Sequence, residues 1–146
     1  MPVEVEFHPA TYKEFFQDVL SSYPDLLQKL RRDFSRYVES DGNFLPTYFG
    51  QDAPYVEPAA AFNARLMHIH ICLPPGSFPK GKPQADRKCR KGEPSQDAAL
   101  VYVRGELYED RYRLLAFLHP DAHQKARKKE LMSYLARIAQ EFRDHN

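Results

Sequence analysis

The chain has 146 residues, of which 42% are hydrophobic and 28% are charged, and its formal net charge is +1. This size and composition are typical of a single globular domain, residues 1–146, whose core is large enough to fold without disulfides or a structural metal. Because the net charge is near zero, the overall charge does not indicate nucleic-acid binding. Any basic surface has to be local.

The two cysteines, Cys72 and Cys89, are too few for a disulfide framework and lie in no metal-ligand spacing. The N-terminus has no signal-peptide pattern, and no apolar run reaches the length of a membrane span. We therefore expect a cytoplasmic protein that does not associate with membranes.

The first elements in chain order are a strand and two helices. Residues 3–7 alternate between apolar and polar side chains, which predicts a β-strand. The hydrophobic period then becomes helical over residues 12–20. A second helix is predicted over residues 24–39, because proline is tolerated in a first turn. Residues 44–62 are expected to be irregular, with a few buried apolar anchors.

Three further strands are predicted over residues 65–73, 98–108 and 112–118, the last two joined by an acidic turn. They form an antiparallel meander whose first connection is a proline- and lysine-rich loop from Pro74 to Asp97. A loop of this length is usually functional or mobile. A last helix opens at residues 119–121 and carries apolar side chains at helical spacing.

These elements predict an α+β domain with an N-terminal strand and helical hairpin, an antiparallel sheet meander and a C-terminal helix. We expect the helices to pack on one face of the sheet. The other face would then be open to a partner or a substrate.

The strand at residues 65–73 carries His68 and His70, which alternation places on one face with Leu66 and Cys72. Two imidazoles about 7 Å apart along a strand can bracket a phosphate, and imidazole suits proton transfer near neutral pH. Taken alone, the pair favours a structural role on the polar side of a half-buried strand. A metal half-site is a weaker alternative, because no further ligand follows at a usual spacing, and we expect no metal.

Three other side chains are candidates for the same chemistry. Tyr102 lies in the middle of a strand and could bind a phosphate or stack on a base, or simply pack as a cross-strand aromatic. His123 and Arg127 are four residues apart near the start of the last helix, and are predicted to face the same way. Arginine can bind a phosphate through two hydrogen bonds; the alternative is a solvated helix face with a capping histidine.

Two clusters of basic residues are candidates for contacts with an RNA backbone, which would weaken as salt increases. Such a charge run is also typical of a merely solvated loop. One cluster lies in the long loop and the other at the start of the last helix; the candidates are Lys80, Lys82, Arg87, Lys88, Arg90, Lys91, Lys125 and Lys128.

Five motifs, in register from Leu45 to Arg143, together resemble the signature of the YafO toxin family. They are Leu-Pro-Thr-Tyr-Phe-Gly-Gln-Asp-Ala at 45–53, Met-His-Ile-His at 67–70, Ala-Ala-Leu-Val-Tyr at 98–102, His-x-x-x-Arg at 123–127 and Glu-Phe-Arg at 141–143. The order of the elements is also that of RelE-like toxin domains.

The resemblance implies a type II toxin that cuts messenger RNA on the translating ribosome without a metal cofactor. Its expected partners are a cognate antitoxin, mRNA and the ribosome, in a homo-oligomer or a toxin–antitoxin hetero-oligomer. Acid and base roles would come from His68, His70 and His123, with phosphate contacts from Arg127 and Tyr102. Because this chemistry uses the 2′-hydroxyl, DNA would not be cut.

Two alternatives stay open from the sequence. One is a toxin of the same fold with a target other than RNA, such as gyrase, which would not need the histidines. The other is an RNA-binding module without catalytic activity.

Overall fold

A five-stranded β-sheet forms the centre of the molecule in the computed structural model, which describes residues 2–90 and 92–146. Its strands lie in the spatial order β1–β5–β4–β3–β2. The edge strand β1 runs parallel to β5, and every other neighbouring pair is antiparallel. The strands are β1 (Glu4–Phe7), β2 (Phe49–Pro54), β3 (Met67–Ile71), β4 (Ala98–Arg104) and β5 (Arg111–Leu118).

Within the described residues, four α-helices accompany the sheet: α1 (Pro24–Glu39), α2 (Ala59–Asn63), α3 (Ala122–Lys125) and α4 (Lys129–His145). Proline occupies the first turn of α1, as predicted, where its missing N–H leaves no hydrogen bond unmade. Both long helices are amphipathic, and each buries an apolar stripe against the sheet. In the described ranges, no helix combines the length and the apolar character needed to cross a membrane.

Helices cover both faces of the sheet, so the prediction of one open face is wrong. Helix α1 packs on the face that carries Ile69 and Leu100, whereas α2 and α4 pack on the face that carries Val101 and Leu115. In strand β4, six of the seven residues are buried. A continuous apolar run of this kind is typical of a strand that is covered on both sides.

The three-stranded meander is confirmed as β3, β4 and β5, but two other regions differ from the prediction. The first arm of the expected helical hairpin is only a five-residue π-helical segment, Lys13–Gln17. Residues 44–62 contain strand β2 and the first four residues of helix α2 instead of irregular chain. Strand β2 contains Gly50 and ends in Pro54, residue types depleted in strands, and lies at the sheet edge, where proline is tolerated.

The long loop after β3 packs on the outer edge of β2. The backbone N–H of Gln51 donates to the Arg87 carbonyl over 2.8 Å. Gly50 permits this approach, because a Cβ atom at that position would clash with the same carbonyl oxygen. The loop therefore covers an edge that would otherwise present unpaired backbone groups.

Candidate active site

Three of the predicted histidines come together on the sheet face covered by α2 and α4. Strand β3 supplies His68 and His70, and helix α3 supplies His123. The ring centroids of His68 and His70 are 5.7 Å apart, and those of His70 and His123 are 5.6 Å apart. The three rings line a cavity of about 50 Å³ together with Tyr55 and Asp97. This volume is far below that of a ligand pocket, so the rings can contact a substrate only at the mouth of the cavity.

The side chain of His123 is held by the buried carboxylate of Asp97. Oδ2 of Asp97 lies 2.7 Å from the ring Nδ1 of His123 and accepts the backbone N–H of the same residue over 2.9 Å. Asp97 is only 1% exposed. Since an ionised carboxylate only accepts hydrogen bonds, Nδ1 carries the hydrogen and Nε2 of the neutral ring is a proton acceptor. The His123 side chain is 26% exposed, which gives it access to solvent.

The opposite tautomer is set at His70. Its Nδ1 accepts the backbone N–H of Cys89 over 3.0 Å, so the hydrogen of the neutral ring lies on Nε2. Burial, followed by the neighbouring His123, lowers the pKa of His70 to about 4. His70 is therefore neutral at pH 7 and can donate a hydrogen bond through Nε2.

The ring of His68 stacks on the ring of Tyr55, with centroids 4.0 Å apart and planes 10° from parallel. Burial, followed by His70, lowers the pKa of His68 to about 4. Its Nδ1 is buried, with no hydrogen-bond partner among the described residues. These contacts suit a side chain that packs in a structural role beside His70.

Tyr102 does not join the histidines, because it lies on the other face of the sheet, packed with the residues under α1. Its hydroxyl donates to Oδ1 of Asp52 over 2.7 Å. Cys72 also lies on the α1 side, because β3 ends at Ile71 and strand alternation no longer applies beyond it. The structure thus places His68 and His70 on one face, as alternation predicts, but not Cys72.

Arg127 is exposed in the turn after α3, next to Ala126, which lines the cavity. The predicted helical spacing between His123 and Arg127 does not apply, because α3 ends at Lys125. Arg127 therefore follows a cavity-lining residue in the chain but does not share a helix face with His123.

The basic residues of the long loop differ in burial. Arg87 is 5% exposed, and its guanidinium donates to the carbonyls of Lys82, Phe49 and Lys80 over 2.9, 3.3 and 3.4 Å. Arg87 therefore stabilises the loop. The prediction that it is an exposed cation for RNA contacts is wrong. The exposed members are Lys80, Lys82, Lys88 and Arg90, of which Arg90 pairs with Glu93. Lys91 lies outside the described residues.

Lys88 lies close enough to His70 for its charge to contribute to the lowered pKa of that ring. In the second cluster, Lys128 is exposed, whereas Nζ of Lys125 donates to the Pro120 carbonyl over 2.7 Å. Among the described cations, Lys88 is thus close to His70, whereas Arg127 and Lys128 are exposed and follow the cavity-lining Ala126 in the chain.

Sequence reasoning missed Asp97, Tyr55 and Cys89, each of which positions a histidine. Asp97 left a weak signal, since it is an acid directly before a continuous apolar strand. The contact of Cys89 is made by its backbone, which leaves no signal in the residue type. Within the described ranges, no group of three or more His, Cys, Asp or Glu side chains has an arrangement that could hold a metal ion.

Comparison with known proteins confirms the family. The sequence model described as "Toxin YafO, type II toxin-antitoxin system" matches residues 35–144, a range that contains the whole histidine cluster. The protein named mRNA interferase toxin YafO from Escherichia coli (strain K12) is 35% identical over 121 residues, covering 80% of this chain and 85% of that protein. No solved structure matches the chain. The chain belongs to the YafO toxin family of type II toxin–antitoxin systems.

Proposed function

We propose that this chain is an endoribonuclease toxin that cuts messenger RNA, and that His123 transfers the proton. The Escherichia coli relative carries the name of an mRNA interferase, which supports the substrate class. The observation that carries the role of His123 is the 2.7 Å hydrogen bond from its ring to the buried carboxylate of Asp97. A carboxylate in this position fixes the tautomer and stabilises the imidazolium that forms when the ring takes a proton.

Cleavage would begin when Nε2 of His123 removes the proton from the 2′-hydroxyl of the nucleotide before the cut. The O2′–P bond then forms as the P–O5′ bond breaks, and the imidazolium returns its proton to the leaving 5′-oxygen. The products are a 2′,3′-cyclic phosphate and a 5′-hydroxyl end. Asp97 acts as a positioning residue throughout.

The negative charge that builds on the phosphate needs hydrogen-bond donors and cations. His70 suits the first role because its neutral ring carries the hydrogen on Nε2. Lys88 and Arg127 suit the second because both are exposed, Lys88 close to His70 and Arg127 next in the chain to the cavity-lining Ala126. His68 would stabilise the arrangement of the site by stacking on Tyr55. Tyr102 has no part in this scheme.

We further propose the biological setting that family membership suggests. The chain would act in the cytoplasm on the translating ribosome and be inhibited by a cognate antitoxin, in a homo- or hetero-oligomer. The RelE-like architecture also stays a proposal. It is supported by the parallel pairing of β1 with β5 and by the meander that follows.

The test is to induce the toxin in cells and to map new 5′ ends on mRNA. We expect cuts that carry a 5′-hydroxyl, are abolished in His123→Ala and strongly reduced in His70→Ala, and persist in His145→Ala, whose ring lies at the exposed end of α4. Purified toxin should be indifferent to chelators. Growth arrest with intact messages and damaged DNA would instead favour a gyrase-type target, and RNA binding without cuts would favour a non-catalytic module.

A further inference from the structure

A second cavity, of about 650 Å³, opens on the opposite side of the sheet from the histidines, at the C-terminal end of α1. Asp52, Tyr37, Tyr102 and Gln84 line it. Its volume lies in the range of pockets that enclose a ligand group. The proposed cleavage chemistry uses none of these residues.

Among Asp52 and the three residues around it, the hydrogen bonds leave only acceptors available. The hydroxyls of Tyr102 and Tyr37 donate to Oδ1 and Oδ2 of Asp52 over 2.7 and 2.8 Å. The amide nitrogen of Gln84 donates to the Tyr37 hydroxyl over 2.9 Å and to the Gly50 carbonyl over 3.1 Å. Each of these donor hydrogens is therefore used. The carboxylate of Asp52 and the amide oxygen of Gln84 retain lone pairs for an incoming donor.

The charge around the pocket also favours a cation. Two ion pairs neutralise part of the rim: Arg104 with Glu109 over 3.4 Å, and Arg143 with Glu106 over 3.5 Å. The remaining charged lining residues are Asp41, Asp52 and Arg65, which gives one more carboxylate than guanidinium. A phosphate-bearing ligand would be repelled by this balance, whereas an ammonium or guanidinium group would be attracted.

Aromatic rings form part of the wall. Tyr37, Tyr102 and Tyr112 all line the pocket, and the guanidinium of Arg104 already lies 5.5 Å from the Tyr112 ring centroid. Tyrosine faces attract cations, the more so when the cation is shielded from water. Burial raises the pKa of Asp52, although the hydrogen bonds from the two tyrosines oppose the shift. A bound cation would offset the cost of keeping that carboxylate charged.

We propose that this pocket binds the cationic end of an arginine or lysine side chain from a partner protein, and that the partner is the antitoxin. The free acceptors around Asp52, the excess carboxylate and the tyrosine walls together define the ligand class. The family membership supplies the protein partner. The proposal does not depend on the chemistry assigned to the histidines.

The direct test uses Nα-acetyl-arginine N-methylamide as the probe and its uncharged citrulline counterpart as the control ligand. We expect NMR shifts that saturate and map to the pocket lining with the arginine compound, and none with the citrulline compound. Asp52→Asn should weaken binding at least about tenfold, because a charge-assisted hydrogen bond is lost. The matched variant Asp18→Asn, at an exposed turn, should bind like the wild type.

A second variant keeps the proposal testable if Asp52→Asn does not fold. Arg65 is exposed at the rim, so Arg65→Glu should fold and should replace a repelling charge by an attracting one. We expect it to bind the arginine probe about two- to fivefold more tightly. Unchanged or weaker binding would contradict the proposal.

The partner is tested by measuring the affinity of purified cognate antitoxin for the full chain. Asp52→Asn should weaken that affinity about tenfold or more, while RNA cleavage by the free toxin stays unchanged. If antitoxin affinity does not change, the antitoxin is not the occupant. If guanosine 5′-monophosphate shifts the lining residues and the arginine probe does not, the pocket recognises a nucleobase and the proposal is wrong. Cleavage is scored separately, so failure here is distinct from failure of the proposed function.

Discussion

At the scale of single residues, the site depends on which nitrogen of each imidazole carries the hydrogen. His123 has it on Nδ1 because Asp97 accepts there, and His70 has it on Nε2 because the Cys89 backbone donates to Nδ1. The two neighbouring rings thus present an acceptor and a donor, respectively, on their remaining nitrogens. A proton-transfer group and a phosphate-binding group can be built from two identical side chains in this way.

Asp97→Asn tests this arrangement. An amide can present its NH₂ group to His123 and so favour the wrong tautomer, and it cannot stabilise the imidazolium. We expect the single-turnover cleavage rate to fall by about 10² to 10⁴ with little change in RNA affinity, by analogy with the effect of losing an orienting carboxylate in a triad. Asp18→Asn is the matched control. A rate within a few-fold of wild type would remove Asp97 from the mechanism.

The sequence predicts the face of β3 that carries the histidines, because alternation is a local property of a strand. It does not predict the contact between Asp97 and His123, which are 26 positions apart and meet only because the chain reverses through β4 and β5. The same limit explains Tyr102. Its position in a strand was predictable, but which helix would cover its face was not.

At the scale of elements, the long loop after β3 packs in an ordered conformation on the edge of the sheet, and Arg87 holds it there. Helix α1 and the meander were predictable from hydrophobic period and from Pro24. Strand β2 was not predictable, because its glycine and proline are typical of a loop. It is extended because it pairs with β3 on one side and with the long loop on the other.

Arg87→Ala should destabilise the fold, because the three carbonyls that accept from this buried guanidinium lose a charged donor. We expect the free energy of unfolding in urea to fall by about 3 kcal/mol. Lys82→Ala, an exposed neighbour in the same loop, should change it by less than about 0.5 kcal/mol. Equal, small effects of both variants would show that the guanidinium contacts contribute little.

At the scale of the whole molecule, the buried His70 and the partly buried His68 make the stability depend on pH. The pKa values of His68 and His70 are lowered to about 4 in the folded chain, whereas an unfolded chain titrates near about 6.5. Between these values the unfolded state binds more protons, so the free energy of unfolding rises with pH. The contribution of these two rings to the free energy of unfolding is therefore fully present above about pH 6.5 and is lost as the pH falls toward 4.

Urea unfolding at pH 7, 6 and 5 measures this effect. We expect a loss of up to a few kcal/mol over that range, since one pKa unit corresponds to about 1.4 kcal/mol. His68→Leu should flatten the dependence, while His145→Ala, at the exposed end of α4, should leave it unchanged. A pH profile in His68→Leu identical to that of the wild type would contradict the assignment.

The hydrogen bond from Cys89 to His70 has a consequence for how this toxin can diverge. The donor is a backbone N–H, so every residue except proline can supply it at position 89. Exposed side chains beside it, such as that of Lys88, can therefore change without altering the hydrogen position on His70. A change of chain length between Arg87 and Cys89 would displace that donor. This hydrogen bond thus constrains the spacing of the chain before Cys89 and not the residue type at position 89, proline excepted.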